Sequence, residues 1–205
     1  TTTTITNATN FLNTGALTLG DAVGDTLIFT GGLTATSASV VNMAGTFNTT
    51  NSAIVLGSGT TPVQLTANVT MGTGTGNVTF GGGLAFTDST TVISGGNITL
   101  NSGTAITNTQ AGGQMVLAAG GNFVNNAGSS AVSTTDTGTT DRWIIYSANS
   151  ATTSFGTSPL VSGNSAMWGK TYSTLAPSSV ASGNRYVFGN TPTVTVQTTN
   201  ATKTY

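Results

Sequence analysis

The chain has 205 residues, of which 4% are charged; its net charge is −1, and it contains neither His nor Cys. These counts exclude disulfides and thiolate metal sites, remove the commonest general base, and argue against nucleic acid, whose binding needs basic patches. The longest apolar runs, MVLAA and WIIY, are far shorter than the roughly 20 residues that span a bilayer, so no membrane insertion is predicted.

Short stretches rich in Val, Ile, Leu, Thr and Phe recur along the first two-thirds of the chain, each bounded by Gly, Asn, Ser or Asp. Such stretches are typical of β-strands, because branched and aromatic side chains suit a pleated surface and the bounding residues suit turns. No stretch has a convincing helical period, so an all-β fold is predicted. In chain order the predicted strands are ALTLG, TLIFT, SAIVLG, VQLTANVTMG, GNVTFGG, TTVISG, NITL and QMVLAA.

These strands recur with a period of about 25 residues, which lies in the range of solenoid repeats. Residues 95–103 read GGNITLNSG and residues 120–128 read GGNFVNNAG, so Asn97 matches Asn122 and Ile98 matches Phe123. A second offset, of 51 positions, matches IFTGGL with TFGGGL and Phe47 with Ile98. Taken together, the two offsets predict one apolar column, Phe47, Met71, Ile98 and Phe123.

Self-similarity at this period indicates a parallel β-helix, in which successive rungs stack about 4.8 Å apart. Asn97 over Asn122 would then form a short ladder of amide hydrogen bonds. An antiparallel sandwich remains the alternative, since its turns also recur regularly.

The chemistry of the chain changes at Arg142. All four basic residues, both Trp and all four Tyr lie at or after this position, whereas every acidic residue precedes it. The WIIY run that follows is apolar on both faces of a strand, which indicates cover on both sides. Residues 141–146 are therefore predicted as the last rung, and Arg142 is placed to pair with Asp141 or Asp136.

Three regions are predicted on this basis. Residues 1–146 form the parallel β-helix, and residues 147–189 form a cap that protects its open end. Residues 190–205 form a linker and, in TVTVQT, the first strand of a following repeat module. The side chains expected in the cap are Phe155, Leu160, Met167, Trp168, Tyr172, Tyr186 and Phe188.

The same aromatic side chains have a functional interpretation beside the structural one, because Trp and Tyr rings stack on sugars. The candidate ligand-binding residues are Trp143, Tyr146, Trp168, Tyr172 and Tyr186. No catalytic residue, metal site or cofactor is predicted. The close carboxylate pairs, Asp21 with Asp25 and Asp136 with Asp141, lie among Gly and Thr as turn residues do, and the chain has no His or Glu to act with them.

The segments GGNITLNSG, GGNFVNNAG, RWIIYSANSATTSFG, MWGKTY, GNRYVF and TVTVQTTNATKTY resemble the filamentous-haemagglutinin-like adhesins. These are large proteins that Gram-negative bacteria export by two-partner secretion. The resemblance covers essentially the whole chain and is more specific from residue 142 onward. It implies a right-handed β-helix that leads into tandem β-sandwich repeats, and a role in attachment and biofilm.

The resulting expectation is a non-enzymatic adhesin or biofilm-matrix segment, secreted to the bacterial surface or the extracellular matrix. It would act as a rigid stalk for attachment or cell–cell aggregation, with exopolysaccharide or a host or neighbouring cell surface as partner. Self-association is a further expectation, because the acidic and basic ends complement each other. The alternative is a carbohydrate-binding module that uses the aromatic C-terminal end.

Overall fold

The computed structural model describes residues 1–86, 89–109, 112–134 and 141–193. Within these ranges the chain forms short β-strands and one 3₁₀ helix, Pro177–Ser179, so the predicted all-β class is confirmed. The strands are β1 (Thr2–Ile5), β2 (Thr9–Phe11), β3 (Leu17–Leu19), β4 (Thr26–Phe29), β5 (Leu33–Ala35), β6 (Val41–Asn48), β7 (Ile54–Leu56), β8 (Val63–Gly72), β9 (Val78–Phe80), β10 (Leu84–Phe86), β11 (Thr90–Ser94), β12 (Ile98–Leu100), β13 (Ile106–Asn108), β14 (Gln114–Ala119), β15 (Phe123–Asn125), β16 (Val132–Thr134), β17 (Arg142–Ser147), β18 (Met167–Trp168) and β19 (Arg185–Phe188).

These strands form three parallel stacks. Stack 1 contains β1, β4, the second halves of β6 and β8, β11, β14, β17 and β19. Stack 2 contains β2, β5, β7, β9, β12 and β15. Stack 3 contains β3, the first halves of β6 and β8, β10, β13 and β16.

The chain visits the stacks in turn, and each strand pairs in parallel with the turns before and after it. The fold is therefore a parallel β-solenoid of about seven turns. The antiparallel sandwich is excluded, because every ladder between the described strands is parallel.

The turns differ in length. Thr2 pairs with Thr26 and Thr26 pairs with Thr46, so the second of these turns is shorter than the first. Met115 pairs with Trp143, across a longer turn than either. A typical turn has about 24 residues, close to the predicted period. The loops between strands absorb most of the difference in length, and between β6 and β8 an irregularity inside the strands absorbs part of it, where the register shifts between Met43 and Gly45.

Unequal turns make part of the predicted apolar column wrong. The pairings of Phe47 with Met71 and of Ile98 with Phe123 are confirmed. The step from Met71 to Ile98 is wrong, because Met71 lies in stack 1, where it pairs with Val92, and Ile98 lies in stack 2. The longer offset fails for the same reason: two turns carry Phe47 to Val92, which precedes Ile98 in the chain.

Most strands of stack 2 have three residues, buried at both ends and partly exposed in the middle. In β12, Ile98 and Leu100 point into the lumen and Thr99 points outward, as the alternation of a strand requires. Stacking aligns the inward residues into continuous apolar columns. The longest column, in stack 1, is Leu27, Phe47, Met71, Val92, Leu117, Ile145 and Tyr186.

The predicted stacking of Asn97 and Asn122 is confirmed and extends to Asn77, but the donors are main-chain N–H groups and not side-chain amides. The backbone N–H of Asn97 donates to Asn77 Oδ1 at 2.7 Å, and that of Asn122 donates to Asn97 Oδ1 at 2.8 Å. Thr152 Oγ1 then donates to Asn122 Oδ1 at 2.9 Å. A Cβ on Gly121 would lie 2.5 Å from Asn97 Oδ1. Glycine precedes asparagine because it leaves room for the asparagine of the turn before.

The last turns are thicker than the first. β17 is buried on both faces, with Trp143 and Ile145 in the lumen and Ile144 and Tyr146 outside it. This confirms the prediction that WIIY is covered on both sides. β19 pairs with β17 and β18 pairs with β19, so the sheet continues beyond the predicted last rung. The predicted strand TVTVQT, residues 193–198, lies outside the described residues except for its first position.

Candidate functional site

An aromatic plug, made of Trp143, Phe155, Tyr186 and Phe188, fills the C-terminal end of the lumen. The ring centroids of Trp143 and Tyr186 lie 5.0 Å apart, and those of Phe155 and Tyr186, which pack edge-on, lie 5.2 Å apart. Tyr186 Oη donates to the carbonyl of Leu160 at 3.0 Å, so its polar end is satisfied. The predicted aromatic cap at the C-terminal end is thus confirmed.

A second group of side chains covers the outside of stack 1 rather than its end. Residues 172–181, which we call the strap, cross the outer face of β14, β17 and β19. Tyr172, Leu175 and Val180 of the strap pack against the outward side chains of those strands. Those side chains are Val116, Ala118, Ile144, Tyr146 and Val187.

Arg142 holds the strap against the sheet. Its Nη1 donates to the carbonyls of Val180 and Ala181, both at 2.9 Å, and its Nη2 donates to that of Pro177 at 2.8 Å. With the amide oriented so that Oε1 faces the guanidinium, Gln114 accepts from Nε at 2.7 Å and from Nη2 at 2.8 Å. All five N–H groups of the buried guanidinium are then used.

The predicted ion pair of Arg142 with Asp141 is wrong. Among the described residues Arg142 makes no ion pair with Asp141, and Asp136 lies outside the described ranges. Burial lowers the pKa of the Arg142 guanidinium, because the charged form loses solvation. Main-chain carbonyls replace the lost water.

Two tyrosines of the late turns, Tyr146 and Tyr186, are shielded from solvent. Burial raises the pKa of Tyr146 to about 12, with Tyr172 adding to the rise and Arg142 opposing it. Burial also raises the pKa of Tyr186. Tyr146 Oη donates to the carbonyl of Leu175 at 2.8 Å, which fixes the middle of the strap.

The structure separates the five predicted ligand-binding residues. Trp143, Tyr146 and Tyr186 are buried, so in this conformation their rings contact protein instead of solvent. Trp168 is 38% exposed and stacks on Phe188, with ring centroids 4.9 Å apart. Tyr172 is half-buried on the strap, on a different surface from the lumen.

Tyr172 borders a groove of about 410 Å³ at the corner where stack 1 turns into stack 2. The groove crosses five successive strands, from the end of β8 through β11, β14 and β17 to the end of β19. Four strand spacings give it a length of about 19 Å. Its lining residues are Gly72, Thr73, Gly74, Ile93, Ser94, Gly95, Ala118, Ala119, Gly120, Tyr146, Ser147, Ala148, Thr171, Tyr172, Ser173 and Gly189.

The floor of the groove is close-packed backbone. The N–H of Gly95 donates to the carbonyl of Gly74 at 2.5 Å, and that of Gly120 donates to the carbonyl of Ser94 at 2.6 Å. A Cβ on Gly120 would lie 2.8 Å from the carbonyl oxygen of Gly95, so a side chain is excluded at this position. The groove was not predicted from the sequence. The repeated Gly-Gly pairs at 95–96 and 120–121 were the pattern that could have indicated it.

Charged groups are sparse around these features. Arg185 donates to the carbonyls of Ser182 and Ser165, at 3.1 and 2.8 Å, so two of the basic residues counted at this end are engaged with main chain. Lys170 remains exposed. The described residues contain no group of three or more side chains suited to hold a metal ion. They also include no helix with the length and apolar character needed to cross a membrane.

Comparison of the chain with protein-family models, curated proteins and solved structures finds no match.

Proposed function

We propose that this chain is a stiff stalk within a secreted, filamentous-haemagglutinin-like adhesin of a Gram-negative bacterium, located at the cell surface or in the extracellular matrix. The observation that carries the proposal is the continuous parallel ladder of stack 1, from β1 to β19. The adhesin class rests on the resemblance of the segments quoted from the sequence, which is most specific from residue 142 onward.

The mechanical role follows from how adjacent turns are joined. Each turn hydrogen-bonds to the next through its backbone and stacks its lumen side chains on the same column, as Phe47, Met71 and Val92 do. The chain has no Cys, so these contacts supply the stiffness without disulfides. Bending the rod would open ladder hydrogen bonds and expose lumen side chains, and both cost free energy.

Distance measurements between spin labels test the stalk. The absence of native Cys allows two labels, at Leu12→Cys and Ser179→Cys, both exposed positions. A stiff rod gives one narrow distance distribution. Deleting residues 54–77, one full turn from β7 to β9, should shorten that distance by about 4.8 Å and keep it narrow.

Deleting residues 54–65 instead removes half a turn and puts the following strands on the wrong stack. This control should lose the narrow distribution and the cooperative unfolding transition. A broad distribution in the undeleted chain would contradict the stalk.

A second candidate function is exopolysaccharide binding at the aromatic C-terminal end. The observation that favours it is Trp168, an exposed indole held in place by its stack on Phe188. An indole face of this kind suits stacking against a sugar ring. Binding of the purified chain to a panel of exopolysaccharides, beside a folded Trp168→Ala variant, tests this surface: loss of binding in the variant supports it, and unchanged binding rejects it.

Neither proposal includes catalysis. Glycosidases need a pair of carboxylates about 5–9.5 Å apart, and no Asp lines the groove. Release of reducing ends from any tested polysaccharide by the purified chain would contradict a non-enzymatic role.

A further inference from the structure

We propose that the groove beside the strap binds a neutral polysaccharide in extended conformation, lying along the solenoid axis with one sugar ring against Tyr172. The proposal rests on the second candidate function for its ligand class, and it places that ligand on a different surface from Trp168. It does not depend on the mechanical role of the chain.

The charge of the groove selects a neutral ligand. Its lining contains only Gly, Ala, Ile, Ser, Thr and Tyr, with no Asp, Lys or Arg. Arg142, the cation that holds the strap, has its donors engaged with Gln114 and three carbonyls. The lining would therefore supply no cation to a phosphorylated or uronic-acid ligand in exchange for the water that it loses, which is unfavourable.

The backbone of the floor argues against a peptide. A peptide strand that joins a sheet needs free main-chain groups as partners. Along the floor, backbone N–H groups donate to carbonyls of the solenoid: Gly95 to Gly74, Gly120 to Ser94, Ala148 to Gly121 and Gly189 to Ser147. Because these N–H groups are already hydrogen-bonded, they cannot pair with the carbonyls of an added peptide strand. The ligand must instead gain affinity by surface contact.

The period of the groove fits an extended glycan. The strands beneath it repeat about every 4.8 Å, which is close to the rise of one sugar unit in an extended β-linked chain. Each sugar would then meet a similar patch of small residues, such as Gly95 and Gly120 on successive turns. Five strands line the groove, so its length corresponds to four or five sugar units.

Tyr172 supplies the aromatic wall, and it is held in place before any ligand arrives. Its ring meets that of Tyr146 edge-on, with centroids 5.5 Å apart and planes at 83°. Tyr146 is itself fixed by its hydrogen bond to the carbonyl of Leu175. Because the ring is already held in place, association does not pay the entropy cost of ordering this side chain.

Calorimetric titration of the whole chain with neutral β-1,4-linked glucose oligomers of two to six units tests the proposal, with galacturonic-acid oligomers of equal length as the charged comparison. Affinity should rise with each unit up to four or five and then level off, because the groove is then full. The charged oligomers should bind at least about tenfold more weakly.

Variants locate the site. Tyr172→Ala should weaken binding at least about tenfold, whereas Tyr172→Phe keeps the ring and should bind as the parent does. Because Tyr172→Ala also removes a strap contact, Ser173→Cys offers a test that is independent of folding. It should bind before labelling and lose binding once a bulky maleimide is attached to the folded protein. Ser179→Cys, labelled in the same way on the far part of the strap, should keep binding.

Three outcomes would overturn the groove as the site. They are no binding of neutral oligomers to the parent, tighter binding of the charged oligomers, and binding that survives the label at position 173. If binding survives that label but is lost in Trp168→Ala, the ligand lies on the end surface and the second candidate function stands without the groove. The spin-label result decides the stalk separately.

Discussion

The early and late turns of the solenoid are built from the same ladder but differ in thickness. In the early turns Val55 of β7 points outward and is partly exposed, and in stack 1 the outward Thr70 of β8 is exposed, so a single layer of strands surrounds the lumen there. In β17 every side chain is buried, because the strap adds a layer outside the sheet. The ladder and the lumen core therefore stabilise the early turns, whereas stack 1 of the late turns also depends on a second apolar layer and on Arg142.

Replacing Arg142 should give the largest loss of stability. Arg142→Ala removes the donors of three strap carbonyls and leaves a cavity beneath Pro177, so we expect a cost of about 4 kcal/mol in the free energy of unfolding. Urea denaturation measures it. Arg185→Ala is the matched control, since that guanidinium also donates to carbonyls but is more exposed; its cost should be about 1 kcal/mol. Equal losses would mean that Arg142 has no special role in holding the strap.

An outward aliphatic side chain should matter only where the second layer exists. Ile144→Ala, which empties a fully buried site under the strap, should cost about 3 kcal/mol. Val55→Ala removes an outward side chain of similar chemistry from the single-layered region and should cost less than about 1 kcal/mol. Thermal and urea unfolding of both variants measure the two losses of stability. Similar losses would mean that the single-layered and two-layered regions are equivalent.

Alkaline pH should destabilise the late turns. An unfolded tyrosine ionises near pH 10, whereas the folded pKa of Tyr146 is raised to about 12. The stabilisation that comes from keeping the Tyr146 phenol protonated is therefore complete below about pH 10 and is lost as the pH rises toward 12. The free energy of unfolding falls by no more than about 1.4 kcal/mol per pH unit for each phenol. Tyr186, whose pKa is also raised, adds to the effect. Unfolding midpoints from pH 8 to 12 measure it, and Tyr146→Phe should flatten the slope.

Breaking a single rung of the asparagine ladder should have the smallest effect. Asn97→Ala removes the acceptor of the Asn122 N–H and should cost about 1 kcal/mol. Asn101→Ala, at an exposed position nearby, is the control and should change stability by less than about 0.5 kcal/mol. If the two variants unfold alike, the ladder contributes nothing measurable.

Local patterns predicted much of this fold. Strand composition located most strands, and the shorter offset gave the correct pairing of Ile98 with Phe123. The longer offset failed because three-residue strands look alike on every stack, so counting along the chain cannot tell which stack a strand joins when the turns differ in length. The third member of the ladder was visible in GNVTF, which repeats the Gly-Asn-apolar order around Asn77.

The candidate site was less predictable than the fold. Composition showed that WIIY is covered on both sides, but it did not show that the cover crosses the outside of stack 1. Arg142 was expected to find a carboxylate, and it binds carbonyls of a loop whose conformation follows no repeat. The groove needs Tyr172 and glycines from turns far apart in the sequence to meet at one corner, which only the register of the ladder brings about.

The asparagine ladder also has a direction. Each side-chain oxygen, as at Asn77 and Asn97, receives the N–H of the turn that follows it in the chain, and each later glycine accommodates the asparagine that precedes it. A finished turn is therefore a template, with acceptors and vacant space already in place for its successor. A chain that emerges amino end first can extend its folded region turn by turn, without waiting for its carboxyl end.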